Sequence, residues 1–429
     1  MKKKCMLIAL LFVTVQMTTL FIPLPVSAEL PTNSIRQQNK NYVFYRTDSA
    51  ITLDGCGEEE AWANVPWSDA SILAYLSSGI ATLDDRDTYI ANGGFASARF
   101  KGVWRVVDGV NTLYFLIEVS DHQAVASSNN TPDGVKMIFN NGGADFTTGF
   151  IAVADVADGA PAHTDAFRYT ITDQRTEEGG GTYTYEISCK IGNSDRFQFD
   201  FWIQDSVNAW NRARYTWNGA FDNETPQGQG ILSAIQTGDL VPVRTAAGAS
   251  IRLDTITQAK SGIRFATSVD PVLFSSLLAN PAISEVITGT LILPAETLNE
   301  VSDNLDFVCN PIAIPYTEAD LMAAGLEAGK DYYNIVNQGN QWVDGQDGTW
   351  YGTLYNIKDF GRQFSGVGYI QVIYQNGDSY TLYGEYADSN ARSVSEVAEI
   401  ALQTGVYTEE DNPVEWALLQ NFITGGSPR

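Results

Sequence analysis

Trp202 is the side chain around which binding chemistry could be built. In Phe197-Gln-Phe-Asp-Phe-Trp-Ile-Gln-Asp205, Phe197, Phe199, Phe201 and Ile203 alternate with Gln198, Asp200, Trp202 and Gln204. Successive side chains of a strand point to opposite faces, so this spacing predicts the indole on the polar face. The same parity in neighbouring segments puts Lys136, Arg168 and Glu186 on a corresponding face. An aromatic wall with a few oriented polar groups is the usual make-up of a sugar site. The candidate ligand-binding residues are therefore Trp202, Arg168, Lys136, Asp200 and Gln204, with Trp210, Arg212 and Trp217 of Asn208–Trp217 as a rim. A tryptophan packed under a loop or against a second domain satisfies the same parity, and an edge hairpin with scattered aromatics accounts equally for the rim.

Other chemistries find little support. Glycoside hydrolysis needs two carboxyl groups about 5 to 10 Å apart, and Glu186 with Asp200 is the one pair on the proposed face to consider. The two histidines, His122 and His163, belong to no zinc-type cluster. The glycine cluster Gly179 to Gly181 precedes a strand and not a helix, which argues against a phosphate cradle. No catalytic residue is assigned, and the chain is read as not an enzyme.

The chain of 429 residues begins with Lys2, Lys3 and Lys4, an apolar run to Val13 resuming through Val26, and a small-residue end at Val26-Ser27-Ala28. This is the pattern of a signal peptide over residues 1–28. Pro23 and Pro25 break the run before a bilayer-spanning helix accumulates, so no integral membrane segment is expected after cleavage. Removal of these residues leaves 23 basic and 51 acidic residues, a balance of −28. That excess argues against nucleic acid and anionic lipid as partners. Three cysteines remain after cleavage, Cys56, Cys189 and Cys309, too few for a disulfide framework. Cys189 falls on the apolar phase of a strand, where it reads as a small buried hydrophobe; a Cys56–Cys189 pair stays open.

Period-two segments dominate residues 50–240: Leu113–Val119, Val135–Phe139, Phe167–Ile171, Tyr183–Ile191 and Phe197–Asp205. Gly-, Asn-, Asp- and Pro-rich turns separate them, which predicts a β-sandwich. A short helix or turn is expected over Glu58–Trp67. The pattern lapses between Thr237 and Ala249, which marks a domain boundary. Residues 250–429 read as mostly β with helices over Glu318–Ala328 and Ser393–Gln403, the latter with Ser393 and Glu396 spaced for a capping box. The expected organisation is signal peptide 1–28, linker 29–44, sandwich 45–240 and a second β-rich domain 250–429.

Ile51-Thr-Leu-Asp-Gly55 followed by Glu59-Glu60-Ala61-Trp62 resembles the opening signature of the family 9 carbohydrate-binding modules. Further segments follow in order: Phe100–Trp104, Leu113–Asp121, Asp133–Phe139, Thr184–Ser188, Phe199–Asp205 and Trp217. The resemblance implies a two-sheet sandwich that binds the ends of plant polysaccharides, with Trp62 and Trp104 in the framework. It also implies a pair of tryptophans clamping the terminal sugar. This chain has Asn130-Thr131-Pro132 and Asn223-Glu224-Thr225-Pro226 at those two places. The family's acidic ligand-facing position carries Lys136, and a family glutamine aligns with Trp202, while Phe167-Arg168 matches. Asp121, Asp133 and Asp205 occupy family-typical strand ends where oxygen ligands could hold a structural calcium ion; no other cofactor is required. Residues 250–429 resemble an uncharacterised β-rich domain of Gram-positive secreted and surface proteins through Ser261–Phe265, Gly289–Pro294 and Arg392–Ala398, with Arg264 as a paired framework residue.

These readings lead to a secreted, extracellular, Gram-positive-type, non-catalytic protein that binds a polysaccharide such as cellulose or xylan in carbohydrate catabolism, in association with glycoside hydrolases. One alternative is a structural or adhesive surface protein that has kept the sandwich without sugar affinity. Another is an accessory part of a glycoside hydrolase system with an unrecognised catalytic site.

Overall fold

Alternating sequence becomes strand throughout the first half. The strands are β1 (Asn41–Arg46), β2 (Ser68–Asp69), β3 (Ile72–Leu76), β4 (Gly79–Ile80), β5 (Ser97–Val107), β6 (Val110–Asp121), β7 (Gly134–Asn140), β8 (Asp145–Thr147), β9 (Ile151–Ala152), β10 (Phe167–Asp173), β11 (Gly181–Gly192), β12 (Arg196–Ser206), β13 (Arg212–Thr216) and β14 (Gln229–Gln236). The computed structural model describes residues 40–70, 72–76, 79–80, 97–121, 133–140, 145–147, 151–153, 166–176, 180–206, 212–219, 226, 228–298, 317–384 and 391–425. The expected signal peptide, both histidines, Cys309, Trp210 and the clamp positions 130–132 and 223–225 lie outside the described residues, as does the side chain of Arg212.

The strands form one curled sheet in the order β10-β11-β6-β5-β1-β14-β12-β13-β3-β4, with β7 on the other edge of β12. Between β5 and β6, Asp108 and Gly109 both take positive φ (51° and 79°), the two-residue turn that matches strand twist. The wing β10-β11-β6-β5 curls over the wing built on β12 and β7, and their inner faces meet in one core that includes Phe44, Phe100, Phe115, Phe139, Tyr185 and Phe199. Trp217 belongs to this core, stacked on Phe199 with ring centroids 4.5 Å apart, so it is not a rim residue. Gly102 is required by the same packing, because a Cβ there would come within 2.4 Å of the Phe44 ring. Cys189 is buried in the core and Cys56 is exposed, and they are not bonded to each other.

The second half carries β15 (Val243–Thr245), β16 (Ser250–Arg252), β17 (Gly262–Val269), β18 (Ile283–Pro294), β19 (Tyr333–Asn337), β20 (Thr349–Tyr355), β21 (Gln363–Tyr374), β22 (Ser379–Tyr383) and β23 (Arg392–Ser393). Short helices punctuate the chain: α1 (Glu60–Ala63) in the first half, then α2 (Pro271–Ala279), α3 (Glu318–Ala323), α4 (Val394–Gln403) and α5 (Pro413–Thr424). The expected capping box forms, Ser393 and Glu396 each accepting from the other's backbone N–H. β17 is central to one small sheet, paired with β15, β16 and β20, while β18 and β21 are central to the order β19-β18-β21-β22.

The stretch around Thr237–Ala249 supplies Leu240, Val241 and Val243 to a second core, in which Tyr45, Trp62, Val103, Tyr114 and Leu116 pack with Phe274, Trp350, Ile370, Tyr380 and Leu382. Tyr380 donates its hydroxyl to the Asp239 carbonyl at 2.9 Å. Part of the outer face of β5 and β6, at Val103, Tyr114 and Leu116, is thus buried in a core shared with the second half. The molecule is mainly β with a few short helices, and among the described residues no helix is long and apolar enough to cross a membrane.

Candidate functional site

β12 positions Trp202 as its parity requires, away from the aromatic core, in a small separate cluster with Ile138. The indole is nevertheless only 5% exposed, which corrects the expectation of an open ring. The cover comes from the flanking strands. Lys136 on β7, the Cα partner of Trp202, puts its ammonium 4.6 Å from the ring centroid. Arg214 on β13 brings its guanidinium carbon to 3.7 Å. Electron-rich ring faces attract cations, which holds both side chains over the indole. Gln204 is buried alongside, its Oε1 accepting from Arg214 Nε at 3.3 Å. The Trp202 Nε1 is buried and has no hydrogen-bond partner among the described residues.

Asp200 and Arg168 take no part in an open site at Trp202. Asp200 is fully buried and accepts from the backbone N–H groups of Phe201, Trp217 and Asn218 at 2.8, 3.2 and 3.2 Å, so it holds the turn after β13. Arg168 is exposed on β10, whose neighbours Phe167 and Tyr169 face the aromatic core. The two wings share that core, so Arg168 and Glu186 lie on the exterior of one wing and Trp202 on the exterior of the other. Glu186 and Asp200 accordingly do not face each other as a hydrolytic pair would. Arg214, absent from the sequence-based set, was legible in principle: in Arg212-Ala-Arg-Tyr-Thr216 it shares the parity of Arg212.

The three strand-end aspartates do converge. Asp121 at the end of β6, Asp133 before β7 and Asp205 near the end of β12 are all buried, and each offers a carboxylate oxygen within 4.8 Å of the others. Arg175, which the sequence reading missed, enters this cluster. Its Nη1 donates to Asp121 Oδ2 at 2.7 Å and to Asp133 Oδ2 at 2.6 Å, while Nε and Nη2 hold Asp173 at 3.0 Å each. Burial alone would lower the Arg175 pKa, but the bonds to Asp173, Asp133 and Asp121 outweigh it and raise it. The guanidinium also lies 4.6 Å from the Tyr183 ring centroid. Burial pushes the Tyr183 phenol well above its ordinary value, reinforced by Tyr185 and these aspartates.

A second acidic group joins Asp54, Glu59 and Glu186, again with oxygens within 4.8 Å. Glu186 Oε2 accepts from the N–H groups of Asp54 and Gly55 at 2.8 and 2.7 Å, which ties the Asp-Gly turn of the opening motif to β11. Glu186 Oε1 and Glu59 Oε2 are buried with no partner among the described residues. Burial raises the Glu186 pKa against those backbone bonds, with Glu59 and Asp54 adding to the rise. Both acidic clusters are capable of coordinating a metal ion. They differ in that Arg175 already supplies positive charge to the first, whereas the second keeps two orphaned oxygens of the hard type that calcium prefers.

No protein-family model and no curated protein matches the chain. The solved structures similar to part of it include two of a family 9 carbohydrate-binding module from Caldicellulosiruptor kristjanssonii. The complex with glucose is 19% identical, covers 45% of this chain and 96% of its own, and has a TM-score of 0.32. The complex with cellotriose is 18% identical, covers 45% and 94%, and has a TM-score of 0.30.

Proposed function

We propose that this protein is a secreted, non-catalytic carbohydrate-binding protein that recognises a polysaccharide of the plant cell-wall type, such as cellulose or xylan, through the exterior of β7, β12 and β13. It would do so beside glycoside hydrolases in carbohydrate catabolism. The observation that carries this reading is the buried indole N–H of Trp202, which has no acceptor among the described residues and stands beside the cations of Lys136 and Arg214, the latter held by Gln204 Oε1. A sugar hydroxyl can accept from that N–H. Lys136 rides on a flexible four-carbon stem and is the movable part of the cover, so its departure would open the ring to a pyranose face. Residues 45–240 form the recognition segment in this reading, and residues 250–429 support it. Asp54, Glu59 and Glu186 would hold a structural calcium ion, which supplies charge compensation and no chemistry.

The covered ring favours a second reading, a structural or adhesive protein that has kept the sandwich without sugar affinity. Glycan-array binding of the full mature chain, with and without calcium, separates the two. Trp202→Ala is the loss variant, and Lys136→Ala is the companion that uncovers the ring without removing buried volume. Binding lost in the first and kept or strengthened in the second supports glycan recognition at Trp202. No binding to any plant or bacterial glycan by the native chain sinks it and leaves the structural reading.

A further inference from the structure

The sheet centred on β17 has a face that no function has yet claimed. Ile263 and Phe265 point from β17 into the core beneath α4 and α5, so the alternate residues Arg264, Ala266 and Ser268 point the other way. Antiparallel partners share a face. Arg252 opposite Gly262 and Arg244 opposite Ser268 therefore join Arg264, and so do Tyr355 opposite Gly262 and Tyr351 opposite Ala266 on β20. Three of the five arginines between residues 240 and 425 are gathered on this one face.

These arginines lack what arginines in an acidic chain normally have. In a protein of net charge −25, none of the three forms an ion pair among the described residues; Arg362, by contrast, is paired with Glu296. Arg264 instead donates to Ser250 Oγ and lies 4.1 Å from the Tyr351 ring centroid, and Arg252 donates to the Tyr355 hydroxyl with its guanidinium 4.9 Å from that ring. Asp270 caps α2, and Asp254 accepts from the N–H groups of Ile256 and Thr257. From the row of Arg252 to that of Arg244 is six residues of β17, about 20 Å at ~3.3 Å per residue.

We propose that this face binds an acidic polysaccharide, a polyuronate chain running along β17. Guanidinium forks match carboxylates in two-point geometry, and a polyuronate offers one carboxylate per sugar, so a run of several sugars meets the three arginines in turn. Tyr351 and Tyr355 give apolar surface for the sugar rings between charges. The charge pattern selects against nucleic acid: a duplex carries a charge about every 1.7 Å and demands a wider basic footprint, while the rest of this chain repels it. The inference does not depend on Trp202.

Affinity electrophoresis of the full mature chain through gels containing polygalacturonate tests it, with fully methyl-esterified polygalacturonate and single-stranded DNA as parallel arms. Retardation is expected on the charged polymer, with loss on the esterified one, at low ionic strength. Arg252→Ala/Arg264→Ala should weaken retention at least tenfold, and Arg264→Lys, which keeps the charge and loses the fork, by a smaller factor. If the double variant fails to fold by circular dichroism, Arg264→Lys and Arg244→Ala carry the test singly. Retention that is absent, that survives esterification or the arginine changes, or that DNA matches would overturn the proposal. Trp202→Ala should leave polygalacturonate retention unchanged, which keeps this outcome separate from that of the neutral-glycan reading.

Discussion

Arg214 and Trp202 sit two residues out of register on adjacent strands, yet the guanidinium carbon comes to 3.7 Å from the indole centroid. The ring that parity assigns to solvent is covered by the cations of Arg214 and Lys136, with Ile138 packed beside it. A cover of this kind is worth about 0.5 to 2 kcal/mol, small enough for a ligand to compete with.

Trp202→Ala should therefore destabilise the fold by about 3 to 5 kcal/mol through lost packing, and Arg214→Ala by less. A double-mutant cycle in urea should return a coupling of about 0.5 to 2 kcal/mol between them. Strict additivity would mean that the contact is geometric and carries no energy.

Arg175 balances Asp121 and Asp133 from within. Arg175→Met leaves their carboxylates buried without that partner, which should cost about 3 to 5 kcal/mol. Calorimetry with and without millimolar calcium should show a larger rise in Tm for the variant than for the native protein, because the ion then takes the place of the guanidinium.

At the other acidic group the expectation differs. Calcium should raise the Tm of the native chain in proportion to the logarithm of its concentration above Kd. Glu186→Gln, which removes charge where an orphaned oxygen stands, should weaken that response. An equal response in the variant would place the ion elsewhere.

Burial alone would raise the Glu396 pKa, but bonds from the Ser393 backbone, the Gln363 amide and the Ser393 hydroxyl outweigh it and hold the carboxyl below its ordinary 4.5. A depressed carboxylate contributes stability that is fully present above the unfolded value and is lost as pH falls through the folded one. Glu396→Gln should cost about 1 kcal/mol at neutral pH and flatten the decline in stability below about pH 4.5. Urea denaturation at several pH values reads both.

The strands were legible because Phe197–Asp205 and its kin alternate without interruption. Alternation tells which side of a strand a residue occupies and not which wing of a curled sheet the strand joins; hence Arg168 and Trp202 could be given one face in the sequence and occupy opposite exteriors in the fold. The cover over Trp202 depends on the register that sets Lys136 and Arg214 beside it, and register is long-range information. Asp121, Asp133 and Asp205 could be found because the family resemblance places all three at strand ends, and they converge in the fold. Arg175 escaped notice because it follows β10 without periodic signal. Helix α2 went unread as well, although Asp270 accepting from the N–H groups of Val272 and Leu273, with Pro271 in the first turn, is a standard helix start.

Tyr45 and Tyr380, one from each half, meet edge to face with centroids 6.2 Å apart inside the core that Leu240, Val241 and Val243 help to fill. Cutting the chain near residue 245 would bare Val103, Tyr114 and Leu116 to water, so the sandwich is poorly suited to being excised and moved between proteins. It also means that tension applied at the carboxyl end is carried into β5 and β6 through packed side chains as well as through the connecting backbone. Two tethered beads would let the linker stretch first; this chain resists as one mechanical body.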